Sequence, residues 1–219
     1  MPTVSEPFID KFSVTYSCER DVEDGIRETL RNHRDAEGIQ LWYLGASLRK
    51  YRHSWHLFLP DDPRVPILLQ TRLNYSRAGN FRMEWNPRHL GRDGNEQLWL
   101  FLEEVLLDEL RPFLLNAVVT RCDIAVDVRP ITPDAIWVSA SGLRRGKIWT
   151  GDNGRIESIE LGSRGSGTHF IIYNRNAETG HVVTDDLLTT RIEAQLRPDA
   201  MLRYYVTEQN PFARLTVVN

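Results

Sequence analysis

The sequence predicts an α+β fold: a curved antiparallel sheet made from two similar strand–helix–strand halves, with helices packed on one face. Three observations carry this. Short runs of alternating aromatic, β-branched and polar residues recur along the chain, as in Thr168 to Arg175 and Ala117 to Val128. Two stretches have helical spacing instead, with apolar residues three and four apart. Finally, four strand-like runs of the first half echo four of the second in the same order. Phe8 to Val14 echoes Arg121 to Val126, Tyr43 to Ala46 echoes Glu160 to Ser163, His56 to Leu59 echoes His169 to Ile172, and Phe81 to Glu84 echoes Thr190 to Glu193.

Taken in order, Phe8 to Ser17 reads as a strand and Asp21 to Arg34 as a helix, with Val22, Ile26 and Leu30 on one side. Gln40 to Leu48 and Ser54 to Leu59 read as a hairpin joined by the basic turn Arg49 to His53. Pro60 to Pro66 reads as a loop, and Ile67 to Tyr75 and Asn80 to Trp85 as strands closed by Asn86-Pro87. The strongest helix is Asn95 to Leu115, with Asn95 as N-cap and Pro112 ending or kinking the last turn. Ala117 to Val128 follows as a strand, and Thr132-Pro133 opens a short helix through Gly142. Lys147 to Thr150, a turn at Asp152 to Gly154, and the strands between Glu157 and Arg197 complete the chain. No linker separates the halves, pseudo-repeats of about 8–116 and 117–215, so one domain over 1–219 is expected.

Composition excludes several classes. Hydrophobic residues make up 41% and charged residues 26%, ordinary globular values, and no run has the length of a membrane span. Two cysteines, Cys18 and Cys122, are too few for a disulfide framework, and the N-terminus lacks a signal pattern. A reduced, cytoplasmic protein is expected. The net charge of −3 does not advertise a nucleic-acid binder. Nearly all the basic residues are arginine, with lysine only at 11, 50 and 147; this suits bidentate phosphate contacts but equally follows from codon usage.

The chemistry concentrates between 121 and 197. Strand alternation puts His169, Ile171 and Tyr173 on one face, and Arg191, Glu193, Gln195 and Arg197 on the same polar front. Asp123, Ala125 and Asp127 share a face of their strand, and aspartates are disfavoured in strands. The two aspartates lie roughly 13 Å apart by strand rise. One of them could join Glu193 or Glu160 as hard oxygen ligands for magnesium or manganese. The competing reading is a solvated front, salt-bridged through Arg121, Arg191 and Arg197. Tyr173 reads as a candidate nucleophile or as a strand tyrosine contributing packing, the commoner fate of a single tyrosine; as a nucleophile, a phenol with a pKa near 10 needs a cation or a base to act. His169 is again roughly 13 Å along its strand from Tyr173. It reads as a ligand, a phosphate contact or a structural histidine. Gly162 to Gly167 lacks a Gly-Lys-Ser/Thr ending and reads as a hairpin turn rather than a phosphate loop. Trp42, Trp55 and Trp85 could stack bases or belong to the core.

The order of these motifs resembles plasmid and phage rolling-circle replication initiators, of the Rep_trans or replication-initiation-factor type related to relaxases of integrative elements. The resemblance rests on Thr120 to Asp127, Ile159 to Arg164, His169 to Arg175 and Arg191 to Arg197, with Phe81 to Pro87 in the first half. It implies a metal-dependent nicking and joining enzyme. Its tyrosine, Tyr173, would take the 5′ phosphate and release a 3′ hydroxyl. Asp123 and Glu193 would be metal ligands, with Asp127, Glu160 and His169 as further candidates; Arg164 and Arg175 would hold phosphate, with Arg191, Arg197 and Arg121 as further DNA or phosphate contacts. The cofactor implied is Mg2+ or Mn2+. The partners implied are single-stranded or cruciform origin DNA, a host helicase and a second copy of the chain, with no membrane. Arg175 stands where such proteins usually have lysine, and relatives generally continue into further helices beyond Asn210 to Phe212. A non-catalytic DNA-binding descendant, acting as a regulator or truncated mobile-element protein, is the alternative reading, and a structural or protein-interaction domain a third.

Overall fold

A computed structural model describes residues 1–33, 38–46, 50–60, 62–75, 79–136, 145–152, 154–163, 167–178 and 188–197. The fold is α+β on antiparallel sheet. In chain order its strands are β1 (Thr3–Val4), β2 (Phe8–Cys18), β3 (Gln40–Gly45), β4 (Tyr51–Leu59), β5 (Asp62–Leu73), β6 (Gly79–Trp85), β7 (Val118–Arg129), β8 (Gly146–Thr150), β9 (Ile156–Leu161), β10 (Thr168–Asn174) and β11 (Thr190–Leu196). The helices are α1 (Arg20–Asn32), α2 (Pro87–Leu106), α3 (Leu110–Asn116) and α4 (Arg175–Glu178), with single 3-10 turns at Leu107–Glu109 and Pro133–Ala135. No helix among the described residues is long and apolar enough to cross a membrane.

The chain divides into two compact units, one holding Met1–Asp10 and the described residues from Arg121 on, the other Lys11–Thr120. In the second of these the strand order is β3-β4-β5-β6-β2. Register places Phe12, Val14 and Tyr16 beside Trp85, Met83 and Phe81, then Leu69 and Trp55, on one face. Ile26 and Leu30 of α1, Leu98, Phe101, Leu102 and Val105 of α2, and Phe113 of α3 are buried with them, each at most 3% exposed. In the unit that contains β10, the order is β7-β11-β10-β9-β8, with β1 on β7.

Several elements depart from the sequence-based expectation. The prolines of the expected 60–66 loop lie partly inside β5. Strand β5 pairs with β6 only over Leu68 to Thr71, so the proline-bearing segment has no β6 ladder to break. Strand β4 begins at Tyr51, which takes His53 out of the expected turn. The long helix begins at Pro87 rather than Asn95: Asn86 is its N-cap, accepting from the His89 N–H at 3.2 Å, and Pro87 occupies the first turn. Asn95 instead donates from inside the helix to the Pro87 and Gly91 carbonyls, across a non-helical Gly91 at φ 61°. The helix stops at Leu107, with φ 47°, and Pro112 falls in the first turn of α3, where a missing N–H costs nothing. Strand β10 ends at Asn174, whose side chain accepts from the N–H groups of Asn176 and Ala177 and starts α4. Of the expected Thr132 to Gly142 helix only the 3-10 turn lies among the described residues.

Candidate active site

Strand register lays out the front of the β7-β11-β10-β9 sheet in rows. Tyr173 pairs with Ser158 on one side and Arg191 on the other, and Arg191 pairs with Asp127. One row along, Ile171 stands between Glu160 and Glu193, and Glu193 pairs with Ala125. The next row is His169, Gln195 and Asp123. Cross-strand partners project to the same side of a sheet, so every one of these side chains shares the front. The back carries Cys122, Ile124, Val126, Ile192, Ala194, Leu196, Phe170 and Ile172.

The front is not a solvated surface, which overturns that half of the competing reading. Asp123, Asp127, His169, Arg191 and Glu193 are each at most 6% exposed. Charges that deep require partners. Arg191 forks onto Asp127 through Nε at 2.8 Å and Nη2 at 3.1 Å, and its Nη1 meets Asp10 at 2.5 Å. Its guanidinium also lies 4.9 Å from the centre of the Phe8 ring. Burial opposes the Arg191 charge, but the Asp127 hydrogen bonds and the charges of Asp10, Tyr173 and Asp127 outweigh it and raise the pKa. Arg121 forks in the same way onto Asp123, at 2.8 and 2.5 Å. Burial nonetheless pushes the Asp123 carboxyl up to about 7, against the pull of Arg121 and with the help of neighbouring Glu193.

Tyr173 joins these two clusters. Its hydroxyl donates to Glu193 Oε2 at 3.4 Å, while Glu193 Oε1 accepts from Gln195 Nε2 at 2.9 Å and lies 4.0 Å from Arg121. The phenol therefore has a buried carboxylate within reach of its proton and, as row partner, a guanidinium that favours the phenolate. His169, 2% exposed, approaches the Gln195 amide oxygen with Nδ1 at 3.3 Å. Its Nε2 is 3.5 Å from Glu160 Oε2, too loose for a hydrogen bond, and is otherwise without a partner among the described residues.

Of the residues singled out in the sequence, Tyr173, Asp123, Asp127, Glu160, His169, Glu193, Arg121 and Arg191 all meet on this front. Arg175 is half-buried at the head of α4, where its N–H donates to the Thr189 carbonyl, and Arg197 is exposed just past β11. Arg164 lies outside the described residues. Two partners escaped the sequence reading. Asp10 bonds Arg191, and its signal was an aspartate inside a strand, as at Asp123. Gln195 orients both Glu193 and His169, which no single-strand pattern reveals.

No family model matches the sequence, and no curated protein does. The fold has a solved counterpart. The chain is similar, with a TM-score of 0.52 and 15% identity over 93% of its length and 78% of the other chain, to the rolling circle replication initiator protein from Geobacillus stearothermophilus. What the two share at that identity is the fold.

The expected divalent cation fits these residues in part. Among the described residues no three histidine, cysteine or acidic side chains gather as a metal set. Asp123 and Asp127 are each engaged by an arginine, which competes with a cation for the same oxygens. In favour stand the His169 Nε2, without a hydrogen-bond partner among the described residues, and beside it the Glu160 carboxylate, a donor that suits manganese or magnesium.

Proposed function

We propose that the chain is a DNA nicking and joining enzyme of the rolling-circle initiation or relaxase type, with Tyr173 as nucleophile. The observation that carries the reading is the Tyr173 hydroxyl on the buried Glu193 carboxylate, with Arg191 as its row partner. The fold likeness to a replication initiator supports it. Glu193 takes the phenolic proton as Tyr173 Oη attacks the scissile phosphorus. The bond from phosphorus to the 3′ oxygen breaks, the 3′ oxygen leaves as a hydroxyl after gaining a proton, and the 5′ phosphate stays on Tyr173. Joining is the reverse. Glu160 and His169 would contribute donors to a divalent cation, which when bound supplies charge to polarise the phosphate. Arg175 and Arg197, flanking the site's strands, would bind the DNA backbone.

The test is incubation of the full chain with single-stranded origin DNA and manganese, followed by denaturing electrophoresis. The expected result is a covalent adduct that disappears in Tyr173→Phe while DNA binding persists. Binding with no adduct in the wild type would make the chain a non-catalytic DNA-binding relative and end the nuclease reading.

A further inference from the structure

The unit built on β3-β4-β5-β6-β2 holds a cavity that the nicking chemistry does not use. It measures about 390 Å³ and lies where the end of α1 (Leu30, Arg31, His33) meets β3 and β4 (Tyr43, His53, Trp55). Register makes Tyr43 the cross-strand partner of Trp55, and His53 lies two residues from Trp55 on the same face. The three rings form a continuous aromatic wall. Tyr43 is 5.4 Å from Trp55 between centroids, and His53 is 6.1 Å from Tyr43 and 6.0 Å from Trp55, each at 34°. The Tyr43 hydroxyl is fixed on His53 Nδ1 at 2.9 Å. Trp55 is core, but Tyr43 is 56% exposed at the edge of the sheet, an aromatic side chain left uncovered.

Two further features make this wall unlike a frayed core. Burial lowers the His53 pKa, and the charges of Arg27, Arg72 and Arg31 lower it further against the opposing charge of Glu23, so the arginines outweigh the acid at this ring. Arg27 and Arg72 share Asp24, whereas Arg31, on the cavity itself, has no acidic partner among the described residues. His33 also lines the cavity, with its side chain 3% exposed. Its Nδ1 faces Glu104 at 3.2 Å, and its buried Nε2 has no hydrogen-bond partner among the described residues. A stacking surface, and a guanidinium and a ring nitrogen without partners among the described residues, are what one nucleotide offers partners for: a base face, a phosphate and a base edge.

We infer that this cavity binds an unpaired base of single-stranded DNA, stacked on Tyr43, with its phosphate on Arg31 and its edge on His33 Nε2. The choice of DNA as ligand rests on the nicking reading; the cavity's chemistry stands apart from it. The site is a holding point for substrate strand, separate from Tyr173 and lacking a nucleophile of its own.

The experiment uses the full chain and a short single-stranded oligonucleotide carrying iododeoxyuridine, cross-linked by ultraviolet light, with the adduct mapped by peptide mass spectrometry. Affinity is measured in parallel by fluorescence anisotropy. The expected adduct falls on the β3–β4 peptides containing Tyr43 and His53. Tyr43→Ala should lose it and bind roughly 5- to 150-fold more weakly, the range for one stacked base. Tyr43→Phe, which keeps the ring, should restore binding, and Arg31→Ala should weaken binding and reduce its salt dependence. Adducts confined to peptides between Arg121 and Arg197, with unchanged affinity in Tyr43→Ala, would overturn the inference, as would no binding at all. An adduct at Tyr43 in a protein that forms no phosphotyrosine sinks the nicking reading alone. Phosphotyrosine formation without an adduct at Tyr43 sinks this one alone.

Discussion

Tyr173 and Glu193 are twenty positions apart in sequence and become donor and acceptor because β10 and β11 are neighbours in a register that puts Ile171 opposite Glu193. Glu193→Gln keeps the size and a hydrogen-bonding group but removes the base. Adduct formation should fall roughly 100-fold or more, with oligonucleotide affinity little changed; full activity in this variant would assign proton removal elsewhere. Asp123 makes a separate prediction. Its carboxyl titrates at about 7 in the fold and at about 3.9 in the unfolded chain. Between those values the folded protein holds a proton the unfolded chain has released, so stability falls as pH rises from about 4 to about 7 and then levels off. Urea denaturation across that range should show the decline in the wild type and a flatter profile in Asp123→Asn. Identical profiles would mean that Asp123 does not carry the raised titration. Alternation placed Tyr173 on the polar face, and the order of the motifs made it the candidate nucleophile. The carboxylate that accepts from its hydroxyl was not identified as such, because which carboxylate meets a phenol depends on pairing between strands.

At the scale of elements, the same dependence appears in reverse: local signals were present and were assigned to the wrong role. Asn86-Pro87 closes a strand by its turn chemistry, yet the same pair is an N-cap and first-turn proline, and the structure uses it to start α2. Asn86→Ala should cost about 1 kcal/mol, read as a lower urea midpoint at unchanged slope. An unchanged midpoint would show that the bond to the His89 N–H contributes nothing. Strand β5 runs through two prolines because its neighbour β6 pairs with only part of it. The set Asp10, Arg191 and Asp127, all within one unit, shows why polar residues recur at strand-interior positions of this chain.

Over the whole molecule, the two units repeat one strand order: β2-β6-β5-β4-β3 in one and β7-β11-β10-β9-β8 in the other. On this correspondence Arg82 and Glu84 of β6 stand where Arg191 and Glu193 stand on β11, in keeping with the echo between those segments. The row partner of Arg82 is Gln70, where Arg191 has Tyr173, so one unit alone carries a phenol at that position. The echo of His56 with His169 is displaced by a strand, since His56 lies on β4 and its topological counterpart is β9. Formal charge is −3 across the chain, so the proposed DNA binding would draw on local arginines such as Arg31, Arg175 and Arg197 rather than on a general field. Affinity for single strands should drop roughly 20-fold between about 50 and 200 mM salt if about three phosphates are contacted. A flat dependence would count against phosphate contacts altogether.

The sequence by itself determined most of the strands, which residues share a face of each, the α+β class, and Tyr173 as the group to watch. Side-chain alternation is a local property of extended backbone, so those conclusions needed no partner strand. Tertiary structure decided that the polar front is buried, that Arg121 and Arg191 neutralise Asp123 and Asp127, and that Glu193 is the carboxylate at Tyr173. Each of these depends on strand order and register, which are set by contacts between residues far apart in the chain.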